Sequence, residues 1–445
     1  MFWIAVGIFF TAYAVIVSEK IHKTKVALFG AALTLLTKVL TQHDALHSIE
    51  LGVDWNVVFL LISMMLIVNI TSKTGVFQYV AIKSAKIAKG EPFRIMLIFS
   101  LVTACASALL DNVTTVLLIA PVTLLIAKEL ELDPVPYLIT EALASNIGGT
   151  ATLIGDPPNI MIASKAGFDF MDFVINLAPA VLIIMIVWLI VWRFIFAKRL
   201  SVREELKQRI MRMDENALIK DPVLLKKSLT VLSLTILGFA LHGFFHYEPA
   251  TVALGGAALL LLISKEDPHH ALAEVEWSTI FFFIGLFIII GGTVKVGFIE
   301  LLSRKMIDLT NPTPGDMFTL TMVMVWFSGI ASAIVDNIPF VATMNPLLVD
   351  MAEKVLGPAT GLKGFELLQH PTMAPVWWSL ALGACLGGNG TAIGASANVI
   401  VVGMSEKAGA KISFVRFLMY GAPVMLLTVA ISMGYLYLRY YFLAR

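Results

Sequence analysis

Two aspartates stand deep inside apolar stretches, each followed at once by asparagine: Asp111-Asn112 and Asp336-Asn337. An acid in such surroundings is costly and is the usual mark of an ion site or a proton relay. The pair can hold Na⁺ when ionised or carry H⁺ when protonated. Alternatively each acid caps a hairpin, and Asn112, Thr114, Thr115 and Asn337 fit either role. A second pair of polar runs follows: Ser145 to Asn159 reads SNIGGTATLIGDPPN, and Gly387 to Asn398 reads GGNGTAIGASAN.

Glycines and prolines of this density stop a helix and restart it, because glycine admits unusual dihedrals and proline removes an amide donor. Backbone at membrane depth must then be buried in protein or line a cavity. At such a break the positive end of a half-helix can hold an anion or a polar neutral solute, and free carbonyls can hold a cation. Candidate ligands in the first run are Ser145, Asn146, Thr150 and Thr152; those in the second are Asn389, Thr391, Ser396 and Asn398. Flexible packing through small residues is the alternative. Asp156 has Ala395 as its counterpart, so its acid belongs to one half only. It serves either ion coupling or a structural turn with Pro157 and Pro158. Cys385 either approaches a thiophilic solute or is a small buried packing residue.

The elements that must position these groups are membrane spans. The chain has 445 residues, of which 58% are hydrophobic and 14% charged, with a mean hydropathy of +0.86; a soluble domain is far more charged. Apolar segments near the length needed to cross a bilayer fall at 2–18, 24–40, 55–71, 139–165 and 172–195, then at 228–243, 249–264, 277–298, 376–403 and 415–438. The stretches 94–127 and 317–355 are too long for one pass and too interrupted for two. The order is therefore the same twice. Val53-Asp54-Trp55 matches Val275-Glu276-Trp277, Ala106-Ser107-Ala108 matches Ala331-Ser332-Ala333, and Pro121 matches Pro346.

If each long stretch is a re-entrant hairpin, each half crosses five times and the second half is inverted. Lys20, His22, Lys23 and Lys25, then Lys73, Lys83, Lys86 and Lys89, then Lys198 to Lys227 fall on one side, expected to be cytoplasmic. The expected division is 1–197 for the first repeat, 198–227 for a basic cytoplasmic linker and 228–445 for the second repeat. Glu204, Glu205, Asp214 and Glu215 interleave the linker, which argues against nucleic acid as a partner. The opening segment lacks the charged start and cleavage pattern of a signal peptide and is read as a retained first span. The two cysteines, Cys105 and Cys385, imply no disulfide framework, and the histidines form no zinc pattern. Gly148-Gly149-Thr150 lacks the lysine ending of a phosphate loop, so ATP hydrolysis is not expected. No metal or cofactor and no enzymatic activity is expected.

At Asp111-Asn112-Val113-Thr114-Thr115-Val116, Ser145 through Asn159, Asp336-Asn337-Ile338-Pro339-Phe340 and Gly387 through Asn398, the chain resembles the ion transporter superfamily. The resemblance lies with the branch of the arsenite efflux permeases and the melanosomal P protein, related to citrate-type transporters. It covers essentially the whole chain. It implies that two hairpin tips (Asp111-Asn112 and Asp336-Asn337) meet two broken helices, at Ser145-Asn146 with Thr150 to Thr152 and at Asn389 with Thr391. It further implies a homodimer with a scaffold and a moving transport region. The dicarboxylate branch usually carries Ser-Asn-Thr at its tips, which this chain lacks.

The expected protein is an all-α polytopic membrane protein in lipid, most simply the inner membrane of a prokaryote, and a secondary active transporter. No arginine or lysine is expected near these interruptions to neutralise a multivalent carboxylate. Proton-coupled efflux of arsenite or antimonite is therefore the leading expectation. Na⁺/H⁺ exchange, Na⁺-coupled uptake of dicarboxylates or other anions, and a passive channel are the alternatives.

Overall fold

The computed structural model describes residues 1–18, 20–197, 202–245 and 247–443. The start of the expected linker, 198–201, and His246 lie outside the described residues. The protein is all-α, and seven of its described helices are long and apolar enough to cross a membrane.

The first half runs α1 (Phe2–Ser18), α2 (Lys23–Leu36), α3 (Trp55–Lys73), α4 (Val76–Ile87), α5 (Pro92–Leu109), α6 (Asn112–Glu129), α7 (Val135–Gly149), α8 (Pro157–Ala166) and α9 (Phe170–Phe196). A linker helix α10 (Glu204–Met211) follows. The second half repeats the order: α11 (Pro222–Phe245), α12 (Pro249–Ser264), α13 (Trp277–Lys295), α14 (Phe298–Thr310), α15 (Phe318–Ile334), α16 (Asn337–Val355), α17 (Ala374–Gly387), α18 (Ser396–Lys407) and α19 (Phe414–Leu436). Each helix of the first half thus has its counterpart ten labels later. The amphipathic α4 and α14 escape the hydropathy reading because they are short and mix charged residues with apolar ones; each opens on a left-handed glycine, Gly75 (φ 82°) and Gly297 (φ 80°).

The halves pack reciprocally. α2 lies on α13 and α12 on α3, while α6 lies on α18 and α16 on α8. Ion pairs follow the same exchange. Lys73 at the end of α3 meets Glu266 at 2.8 Å, and Lys295 at the end of α13 meets Asp44 at 2.6 Å. Lys295 beside Asp44 holds its carboxyl below the usual range. In the linker, Lys86 does the same to Glu215, and Lys207 reaches Glu91 at 2.6 Å. Arg203 and Arg209 pair with Glu131 just after α6, and Glu204 with Lys207 inside the linker.

The core sits on α7 and α17, buried along almost their whole length. Helices apolar on every side require such a position or lipid contact. Leu182, Phe194, Phe244 and Leu262 are largely exposed on helices long enough to span or lying beside such helices. Each core helix crosses a hairpin arm at glycine. A Cβ on Gly148 would lie 2.1 Å from the Ala104 carbonyl oxygen, and one on Gly387 would lie 2.4 Å from that of Gly329. Both clashes are with backbone, which cannot swing aside. We expect Gly148→Ala to destabilise the protein by about 1–3 kcal/mol, the usual range for overpacking, measured as a fall in the thermal midpoint in detergent. An unchanged midpoint would show that the arm can retreat without loss.

Candidate functional site

The hairpin tips form because aspartate ends one arm and begins the next. Leu110 is extended, and the Asp111 carboxylate accepts from the Thr114 amide at 2.8 Å and from the Thr114 hydroxyl, starting α6. Asp336 accepts from the Ile338 amide at 3.0 Å and starts α16. The caps satisfy amides that a helix start leaves without partners. Both aspartates therefore do cap hairpins; Asp111 also lines the central cavity described below, and Asp336 reaches its wall through Ser396.

The broken helices are built alike. α7 ends at Gly149 and the chain restarts at Pro157; α17 ends at Gly387, makes one tight turn over Gly388–Gly390, and restarts at Ser396. Asp156 and Ala395 precede the restarts in the same extended conformation (φ −143° and −146°). Side chains close each break. Asn159 Nδ2 donates to the carbonyls of Thr150 (3.2 Å) and Thr152 (2.9 Å), while Asn398 Nδ2 donates to those of Gly388 and Thr391 (2.8 Å each). Thr152 donates to Ala108 O at 2.5 Å and Thr391 to Ala333 O at 2.6 Å, tying each break to its hairpin. Thr150 donates to Asn146 O on its own helix, and Ser145 donates to Asn112 O at 3.1 Å. These hydroxyls hold backbone, whatever else they touch.

Asp156 makes no cap hydrogen bond to its own helix. Its carboxylate, fully buried, instead accepts from Asn112 Nδ2 at 3.1 Å and from Asn337 Nδ2 at 3.2 and 3.3 Å. One acid thus joins the tips of both hairpins. Asn146 extends the network across the halves. It accepts from Asn112 at 3.3 Å and donates to Asn389 Oδ1 at 2.9 Å and Asn398 Oδ1 at 3.0 Å. Two atoms of this buried network, Asn112 Oδ1 and Asn389 Nδ2, find no protein partner among the described residues.

A cavity of about 20 Å³, close to the room of one water, is lined by Asp111, Asn112, Asp156, Asn337 and Ser396, with Leu61, Met65 and Thr279 behind them. Four helices, α6, α8, α16 and α18, start at its wall. Each start carries roughly half a positive charge. Cys385 is not among the lining residues; its Sγ lies 3.5 Å from Asn159 Oδ1, close behind Asp156. A larger cavity of about 1150 Å³ lies between the starts of α3 and α12 and the end of α8, with Asp54, Lys165, His242 and Gln369 on its surface and Leu153 at the first helix break.

The expectation that no basic residue attends the interruptions fails on Lys23. Its Nζ lies 2.7 Å from Asp336 Oδ2 and 2.8 Å from Ser396 Oγ. The residue is distant in sequence, and its position among Lys20 and Lys25 made it look like one more loop charge. Glu141 was also passed over. It is buried on α7 and hydrogen-bonded to the Thr123 hydroxyl of α6, with its second oxygen unpartnered among the described residues. A second acid within the expected span 139–165, besides Asp156, was the available signal.

A family model described as a citrate transporter matches residues 13–383. An uncharacterized transporter of Mycobacterium tuberculosis is 45% identical over 440 residues, covering 99% of each chain. The 46 kDa membrane protein of Mycobacterium leprae is 44% identical over 438 residues, 98% of each. The P protein of Homo sapiens is 33% identical over 510 residues, spanning 97% of this chain and 59% of that protein. With a match over most of its length, two interlocked halves and a polar cavity between four helix starts, the chain belongs to the citrate transporter family, CitMHS, and is a multi-pass membrane transporter.

Proposed function

We propose that the protein is a secondary active antiporter that exchanges protons for a small cation, Na⁺ first among candidates, at the cavity between the hairpin tips. The halves are inverted in the membrane, with Lys20, Lys25, Lys73 and Lys83 on the cytoplasmic side. The observation that carries this reading is Asp156, a fully buried carboxylate bonded by Asn112 and Asn337 from both hairpins. An acid so placed binds either a proton or a cation, and competition for one site is what obliges exchange. Proton and cation occupancy alter the same hydrogen bonds to both hairpins, which supports a role for those bonds in the conformational change.

Charge argues against a multivalent carboxylate as cargo. Helix starts attract anions, but here Asp111, Asp156 and Asp336 already stand at or beside those starts. An incoming citrate would meet three fixed carboxylates and one lysine. Protonated arsenite is the second reading. It carries no charge to compensate, and the Ser396 hydroxyl and the asparagine amides of the cavity wall offer it hydrogen bonds.

Reconstituted vesicles carrying a trapped pH dye test this directly. Adding Na⁺ outside acidic, Na⁺-free vesicles should alkalinise the lumen as protons leave. Arsenite flux under the same pH gradient without Na⁺ would favour the second reading. Citrate uptake without proton exit would reject both.

A further inference from the structure

The three acids of the site are not equivalent, and the difference is Lys23. Asp111 is satisfied by its own helix, through the Thr114 amide and hydroxyl. Asp156 is held by two neutral amides. Asp336 alone takes an ion pair, with Lys23 Nζ at 2.7 Å, and Ser396 completes the triangle by lying 2.8 Å from that nitrogen and 3.2 Å from Asp336 Oδ2. The ammonium also lies 4.9 Å from the centre of the Phe282 ring, within range of a cation–π contact.

This contact joins α2 to the second hairpin tip and the second broken helix, beside a neighbouring link in which the Tyr13 hydroxyl of α1 donates to the Pro339 carbonyl at 2.7 Å. Lys23 is the first residue of α2, which packs on α1 and α13. Asp336 belongs to the tip of the second hairpin, and Ser396 starts the second half of the second broken helix. The repeat offers no second copy, because the residue that opens α12, the counterpart of α2, is Pro249. The link also lies on one side of the cavity. The Thr24 hydroxyl beside it bonds Ser278 at the start of α13, and the end of α3 reaches Glu266 and Glu274 just before α13. The start of α3, where the large cavity opens, is at the other end.

The charges on the wall explain why one cation belongs there. With all three carboxylates ionised, four helix starts of about half a charge each leave roughly one negative charge. One cation balances it. Lys23 supplies that cation through the protein, and a second one arriving from solution makes Lys23 redundant.

We propose that Lys23 is a tethered counter-cation of the transport site: it holds Asp336 and Ser396 between cargo-binding events, and an incoming cation must displace it, which frees the hairpin tip from α2. The inference rests on the cation reading of the site. Displacement has two consequences. The apparent affinity for cargo is reduced by competition with the lysine, and closure of the cavity on the α2 side is tied to the cargo being absent.

The test is Na⁺-dependent proton exit from vesicles containing wild-type protein, Lys23→Met or Lys23→Arg, measured across a range of Na⁺ concentration. Lys23→Met keeps the length and the apolar stem while removing the charge, so it should lower the half-saturating Na⁺ concentration by about tenfold. Lys23→Arg should stay near wild type. As a second readout, Lys23→Cys should behave like Lys23→Met, and modification with aminoethyl methanethiosulfonate should restore the wild-type value by returning an ammonium to the same place. Unchanged half-saturation in Lys23→Met beside active wild-type protein overturns the tethered counter-cation and leaves the exchanger standing. Wild-type vesicles that move no proton in response to Na⁺ overturn the cation reading itself, and this inference with it.

Discussion

Replacing Asp156 with asparagine should leave a folded protein whose Na⁺-driven proton exit falls by roughly a thousandfold. Two unit charges 4 Å apart attract by about 4 kcal/mol at an effective dielectric near 20, and about 1.4 kcal/mol corresponds to a factor of ten. Folding should survive because the amide that replaces the carboxylate retains Oδ1, and that atom already accepts from Asn112 at 3.1 Å and Asn337 at 3.3 Å. The Oδ1 hydrogen bonds between hairpins therefore remain, while the Oδ2 bond from Asn337 at 3.2 Å and the exchangeable charge are lost. Asp156→Glu supplies the contrast. It keeps the charge but pushes it one methylene further into a cavity of about 20 Å³, so exchange should be reduced and not abolished. Exchange in Asp156→Asn at the wild-type rate, with the protein correctly inserted, would move the coupling site to Asp111 or Asp336.

The second large effect is structural. Asn146→Ala should lower stability by about 2–6 kcal/mol, taking about 1–3 kcal/mol for each of two buried acceptors left without a donor. Those acceptors are Asn389 Oδ1 and Asn398 Oδ1, which Asn146 Nδ2 reaches at 2.9 and 3.0 Å. Both lie in the second half of the chain, so the single substitution removes the Asn146 hydrogen bonds between the two broken helices. A fall in the thermal midpoint, larger than that of Thr115→Ala at a buried hydroxyl with no partner among the described residues, is the expected measurement. Equal midpoints for the two variants would mean that the network contributes no more than its packing.

Most of the architecture was legible because it depends on local chemistry repeated twice. Long apolar runs, two aspartate-asparagine pairs and two glycine-rich breaks gave the order of spans, and the helix boundaries fall within a few residues of the expected ones for most of them. The hairpin caps follow from a short-range rule, aspartate accepting an amide two or three residues on. The amphipathic α4 and α14 were missed, since hydropathy averages their two faces to something unremarkable.

The site was legible in its parts and not in its connections. Asp111, Asp336, Asn112, Asn337 and Ser396 could be named from their intramembrane setting; all but Asp336 line one cavity together with Asp156, and Asp336 bonds Ser396 of its wall. Their division of labour could not. Thr150, Thr152 and Thr391 bond backbone carbonyls, and Asn398 spends its amide on the break it interrupts. A polar side chain inside a membrane domain advertises a partner without saying whether that partner is cargo or chain.

What the sequence determined by itself was the inventory: a membrane protein of two related halves, with acids, amides and helix breaks at fixed points along each. Helix starts, caps and spans answer to neighbours within about four residues, and such neighbours are visible in a string of letters. Only the tertiary structure decided that Asp156 joins both hairpins, that Asn146 joins both broken helices, and that Lys23, 313 residues away from Asp336, supplies its counter-charge. Those contacts are made between groups far apart in the chain, and they exist because packing the two halves reciprocally is the arrangement that brings their interrupted, polar backbone together and away from lipid.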